Sequence, residues 1–212
     1  MAKVYCIIFT FISLPVLTSC WTDRVESRYK WSRELFIKYT GNLSGLDSII
    51  RVDGYYKNDA YNEIVVFYRD GTAAITSIND RMKSLKEINE KIPFYAGWGS
   101  YKLKGDIIQV QTVERAPTVY TDIYNRLFRI SSDTSIVWLN SERESSFWHA
   151  ESGQDLFLDS LILYYHPDTE GRPDSICWLK DKSWFWENRS QYKAYKQKGE
   201  YKQRKRMLKQ KR

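Results

Sequence analysis

The sequence predicts a mainly β protein: an eight- or nine-stranded antiparallel meander closing into a barrel, with an N-terminal helix, one inserted helix and a C-terminal helix carrying a basic tail. Three observations carry that expectation. Aromatic residues make up 16% of the chain, and aromatic and β-branched side chains favour strands. Short apolar runs recur from Ile49 to Leu179, and turn chemistry such as Asp70-Gly71 and Gly105-Asp106 separates them. Strands that follow one another with short turns leave two unpaired edges, which closure removes; about eight strands enclose an interior that side chains or one small ligand can fill. A chain of 212 residues suits one such domain with terminal extensions.

The chain opens with Lys3 and an apolar run from Val4 to Leu17. That run has the length of a signal-peptide core and is short for a bilayer span. Leu17-Thr18-Ser19-Cys20 follows and resembles a bacterial lipobox: an aliphatic residue, two small residues, then the cysteine that is acylated. Residues 1–19 are therefore expected to be a lipoprotein signal peptide, with lipid on Cys20 as the membrane partner. The expected address is the bacterial cell envelope, with the outer membrane favoured. An ordinary secretory signal followed by a chance cysteine is the alternative. Each buried CH₂ of an acyl chain contributes about 0.8 kcal/mol, so several chains hold a protein on a membrane almost permanently. Cys6 would leave with the signal and Cys20 would be modified. Cys177 then stands alone, without an internal disulfide, and reads as a buried strand residue.

Residues 20–48 read as a lipidated N-terminus and tether. Val25, Tyr29, Ser32 and Phe36 fall at helical spacing and Gly41 offers a stop, which predicts a helix over Asp23 to Tyr39. The barrel domain is expected over 49–180. Asn62 to Tyr68 meets Gly71 to Ile78 across an Asp-Gly hairpin. Trp98 to Leu103 turns at Gly105-Asp106 into Ile107 to Val113. Val119 to Ile130, Ser135 to Leu139, Leu156 to Tyr165 and Ser175 to Leu179 complete the strand candidates. Between them, Met82, Leu85, Ile88 and Ile92 form a helical stripe over Asp80 to Lys91, ended by Pro93.

Three stretches of this body share a pattern: Gly54-Tyr55-Tyr56, the hairpin Phe67-Tyr68-Arg69-Asp70-Gly71-Thr72, and Trp98-Gly99-Ser100-Tyr101-Lys102-Leu103-Lys104-Gly105-Asp106-Ile107-Ile108. Together they resemble the lipocalin-like lipoproteins of Bacteroidetes-type bacteria, with the match covering residues 50 to 140. The resemblance implies a lipocalin-like barrel in a lipid-anchored protein. The Gly-x-Trp motif and paired cysteines of lipocalins proper are absent, so transport of a hydrophobic ligand does not follow from it.

No catalytic constellation is legible. A Gly-x-Ser-x-Gly elbow, a Walker loop and a dinucleotide-binding glycine pattern are all missing. His149 neighbours Glu151 and Asp155, and His166 neighbours Asp168 and Glu170, but neither cluster has metal-ligand spacing. The expectation is therefore a non-enzyme with no catalytic residues, no metal and no cofactor.

Aromatics gather towards the end of the chain. Trp148, Trp178, Trp184 and Trp186 are the candidate ligand or partner contacts, since exposed rings stack on sugars and other flat faces. The competing reading is a helix, begun by Trp184-Phe185-Trp186, packed over the barrel end. Residues 181–212 read as that helix and a basic tail. From Arg189 onward there are eleven Lys and Arg against the single acid Glu200, a local charge of +10. The other 188 residues sum to −3, from 22 basic and 25 acidic side chains, so the body is nearly neutral. Arg204, Lys205, Arg206 and Lys209 are candidate contacts to an anionic surface, and a solvated tail is the alternative. Export argues against nucleic acid as the partner.

Function is expected in one of two forms. The first is a non-catalytic binding or envelope-accessory protein whose partner is a small apolar ligand or another envelope component. The second is an interaction module with a solid barrel, acting through the aromatic cluster and basic tail.

Overall fold

The computed structural model describes residues 37–41, 44–60, 62–77, 97–115, 121–144, 161–168, 177–199, 201–202 and 206. The expected signal peptide, Cys20, the tether helix as far as Phe36, the inserted helix over Asp80 to Lys91, and Trp148 lie outside the described residues.

Eight strands form a closed antiparallel barrel in chain order: β1 (Gly54–Lys57), β2 (Glu63–Phe67), β3 (Thr72–Ser77), β4 (Gly97–Lys104), β5 (Ile107–Arg115), β6 (Thr121–Ser132), β7 (Ser135–Glu144) and β8 (Leu161–Pro167). Closure comes from β1 pairing with β8 from Gly54↔Pro167 to Lys57↔Tyr164. The Asp70-Gly71 hairpin joins β2 to β3 as expected, with Gly71 at φ 85° and Asp70 Oδ1 accepting from the Thr72 amide at 3.0 Å. A bulge in the β6–β7 ladder, between Leu127 and Phe128, shifts the register and increases local twist.

Alternation sends one side chain in two to the interior. Phe67 on β2 meets Phe128 on β6 at 6.2 Å between ring centroids, edge to face. Those strands lie on opposite sides of the barrel, so the rings meet across its centre. Tyr56, Val65, Ala73, Ile75, Tyr101, Ile108, Val110, Ile136 and Leu163 belong to the same buried cluster. Edge-to-face contacts of Phe67 with Tyr56 and Tyr101 add to the packing.

One end of the barrel is plugged. The chain before β1 makes a 3₁₀ turn at Leu46–Ser48, and Leu46, Ile50 and Val52 join the interior cluster. This plug sits where β2–β3, β4–β5 and β6–β7 turn. The Arg51 amide donates to Asp133 O at 2.9 Å, the Ser44 amide to Arg69 O at 3.0 Å, and Tyr56 Oη to Arg51 O at 2.8 Å. Burial above all, then the neighbouring Tyr165, Asp133 and Asp53, keep the Tyr56 phenol neutral well beyond the ordinary tyrosine range. At the surface beside it, Arg51 and Tyr165 both donate to Asp53, at 2.9 and 2.7 Å, and these bonds hold the Asp53 carboxyl down to about 2.

The outer face of β2–β5 is covered as well. Ile37–Tyr39, expected to end a helix, run extended instead, with the Ile37 amide donating to Gln111 Oε1 at 3.1 Å and Ser100 Oγ donating to Ile37 O. The polar outward residues Ser100 and Gln111 satisfy the backbone of this strap, so it gains nothing from coiling there. Tyr39 then bridges in parallel to Trp186. The strand expected over Ser175 to Leu179 is also corrected: Cys177 is buried but precedes a 3₁₀ turn at Trp178–Asp181, because β1 already occupies the free edge of β8.

Two glycines make opposite demands. A Cβ on Gly99 would lie 1.7 Å from Gln111 O, whereas Gly105, at φ +64°, has open space around it. Gly99→Ala is expected to cost about 3 kcal/mol through overpacking, and Gly105→Ala about 1–2 kcal/mol through left-handed backbone strain alone. Urea denaturation of both variants checks the order; equal losses would contradict the close approach of β4 and β5. Acid offers a second check. A carboxyl lowered in the folded state contributes stability that is present above its unfolded value of about 4 and is lost as pH falls towards 2. Asp53→Asn should therefore flatten the decline in urea midpoint below about pH 4, by less than about 1 kcal/mol because the pair is largely solvated.

Candidate functional site

The interior changes character along its axis. Moving away from the plug, the inward positions of β5 read Ile108, Val110, Thr112, and those of β6 read Ile130, Phe128, Arg126, Tyr124. The first members are apolar and packed against the rings described above. The later ones are polar, and Arg126 is only 3% exposed.

Register explains why an arginine points inward. Arg126 pairs with Val110, and Phe128 with Ile108, so all four share the face of the interior cluster. The Arg126 guanidinium donates from Nη1 to Thr112 Oγ1 at 2.6 Å. Its carbon lies 4.5 Å from the Tyr124 ring centroid and 5.7 Å from that of Trp138. Moving a guanidinium out of water costs several kcal/mol, which a charge-assisted hydrogen bond and two ring faces partly offset. Trp138 is itself oriented by Nε1 donating to Asn140 O at 3.0 Å, and it tilts against Phe128 at 5.3 Å. Leu161, opposite Trp138 on β8, and Leu163, opposite Ile136, supply apolar wall nearby. A planar cation with several donors, framed by rings and aliphatic surface, suits an acidic or strongly polar group on an otherwise apolar molecule.

None of Arg126, Thr112 or Tyr124 is distinguished by sequence reasoning, although Val119 to Ile130 reads as a strand. The available signal is parity: Arg126 is in phase with Phe128 and Ile130. The opposite phase, Ile123 and Leu127, is apolar too, and Ile123 is buried on the outer side, so alternation alone does not choose the inner face.

The expected aromatic contacts occupy a different place. Trp184 and Phe185 lie in a 3₁₀ turn, Ser183–Phe185, rather than at the start of an α-helix. Phe185 stacks on Tyr39 at 5.3 Å and Trp186 meets Tyr39 edge-on at 4.7 Å. Trp186 is buried and donates through Nε1 to Lys180 O at 2.9 Å. Lys180 in turn forms an ion pair with Asp70 in the β2–β3 hairpin. Burial above all, then the Asp70 charge, pushes the Tyr39 phenol far above its usual range. Trp178 and Trp184 are half-buried on this clamp, and Lys38 Nζ donates to Trp184 O at 2.9 Å. The helix α1 (Arg189–Gln197) follows, capped by Asn188, whose side chain accepts from the Ser190 amide at 2.8 Å. Of the expected anionic-surface contacts Arg206 is exposed, while Arg204, Lys205 and Lys209 lie outside the described residues. Among the described residues no group of three or more His, Cys, Asp or Glu could hold a metal ion.

No family model, curated protein or solved structure matches the chain.

Thr112→Val removes the Oγ1 acceptor from the Arg126 guanidinium at nearly constant volume. A loss of about 2 kcal/mol is expected, in the range for hydrogen bonds to charged groups, with Thr112→Ser close to wild type. Equal stabilities of the Val and Ser variants in chemical denaturation would show that this bond does not hold the guanidinium.

Proposed function

We propose that this protein is a membrane-anchored, non-catalytic binding barrel of the bacterial cell envelope. Lipid on Cys20 holds it to a membrane, and the interior around Arg126 receives one small ligand. The single observation that carries the binding role is the buried guanidinium of Arg126, framed by Thr112, Tyr124 and Trp138 in the half of the interior away from the plug. An interior filled only by apolar side chains would avoid the cost of burying a guanidinium, so its place among rings and aliphatic wall supports the binding role. The ligand has an apolar body that lies along Leu161 and Leu163 and a polar group directed to Arg126. The lipobox-like Leu17-Thr18-Ser19-Cys20 supports the anchor, and the lipocalin-like pattern of residues 54–108 supports the same reading of the barrel.

Native mass spectrometry on protein recovered from bacterial envelopes tests the binding role. The expected result is one bound small molecule per chain, released on denaturation and absent from Arg126→Met. Equal occupancy of both proteins, or an empty wild type alongside an empty variant, would refute binding at Arg126. Intact mass of the same preparation should begin at Cys20 and carry acyl chains.

A further inference from the structure

Helix α1 has one side fastened and one side free. Tyr195 is buried against Trp186 at 5.2 Å between rings, and Tyr192 Oη donates to Asp181 O at 2.9 Å. The other side is basic: Arg189, Lys193 and Lys196 on the helix, with Lys198 and Lys202 just beyond its end, are all exposed, and the Lys196 ammonium lies 5.3 Å from the Tyr192 ring centroid. The clamp determines where this charge sits. Tyr39 pairs with Trp186, only three residues before α1, so the strap Ile37–Tyr39 and the segment leading into α1 run side by side at the bridge. Residues 189–212 carry +10 and the other 188 residues sum to −3, so the attraction for an anionic surface lies in α1 and the residues that follow it.

We infer that the exposed basic side of α1 is a second membrane contact, lying on anionic phospholipid headgroups. This rests on the lipid-anchor reading of Cys20 and extends it. Basic residues near such a surface are attracted to it, so these five together strengthen an acyl anchor and also orient the barrel. A lipid anchor alone leaves the body free to rotate about its tether. Adding α1 fixes which side faces the membrane.

The test uses the full chain purified from bacterial membranes and reconstituted in vesicles of phosphatidylcholine alone or of phosphatidylcholine with phosphatidylglycerol. Retention on vesicles in high salt reports the anchor. Amine labelling at low salt, read residue by residue, reports α1, with Lys102 and Lys104 on the barrel as exposed controls. The expected result is retention on both vesicles, with labelling of Lys193, Lys196, Lys198 and Lys202 falling roughly fivefold or more only on the anionic ones. High salt restores it, and Lys193→Glu with Lys198→Glu and Lys202→Glu abolishes the protection of Lys196. Equal labelling on both vesicles overturns the contact while leaving the anchor standing. So does protection that arises only with a soluble polyanion. Retention on anionic vesicles alone, reversed by salt, sustains the contact and removes the anchor; retention on neither removes both.

Discussion

The structure depends on one seam. A meander of eight strands becomes a barrel only where β1 meets β8, and β1 is the shortest strand, four residues long. Its ladder with β2 has two matched pairs, Tyr56↔Val65 and Lys57↔Ile64. So short a strand closes a sheet weakly by backbone bonds alone, and side chains reinforce it. Tyr56 reaches into the core and bonds back to Arg51 O, Tyr165 reaches Asp53, and a Cβ on Gly54 would lie 2.1 Å from His166 O. The residues before β1 therefore serve twice, filling the plugged end and fastening the seam.

The plug makes the two ends of the interior unequal. At one end, rings from opposite strands meet and exclude water. Towards the other end, the same inward face carries Thr112, Arg126 and Tyr124, where a charge is tolerated because rings and a hydroxyl surround it. Outside, β2–β5 are covered by the strap and clamp, whereas Ile162 and Tyr164 on β8 remain 41% and 54% exposed. The molecule thus has a covered side, where Tyr39 joins Trp186, and a bare side. The basic helix extends from the covered one.

Much of the architecture was legible because its signals are local. Asp70-Gly71 and Gly105-Asp106 turn the chain whatever surrounds them, since the left-handed conformations of Gly71 and Gly105 are backbone properties. What escaped was long-range. The strap at Ile37–Tyr39 looked helical from Val25, Tyr29, Ser32 and Phe36, yet Ser100 and Gln111, more than sixty residues away, hold its end extended. Ser175 to Leu179 had the composition of a strand, but the edge it would need had been taken by β1. Asp70 was legible as a turn residue; its ion pair with Lys180, 110 residues on, was not.

By itself, then, the sequence determined the class and order of the strands, the turns between them, and the segregation of positive charge into the last residues. Periodicity, turn chemistry and composition are short-range properties, and each can be read within a dozen residues. Only the tertiary structure decided which phase of β6 faces inward, and with it that Arg126 is buried. It also decided that Tyr39 and Trp186, far apart in the chain, meet. Both outcomes are set by closure, because which face becomes the interior, and which chain segments find an open edge, is known only once every strand has its partner.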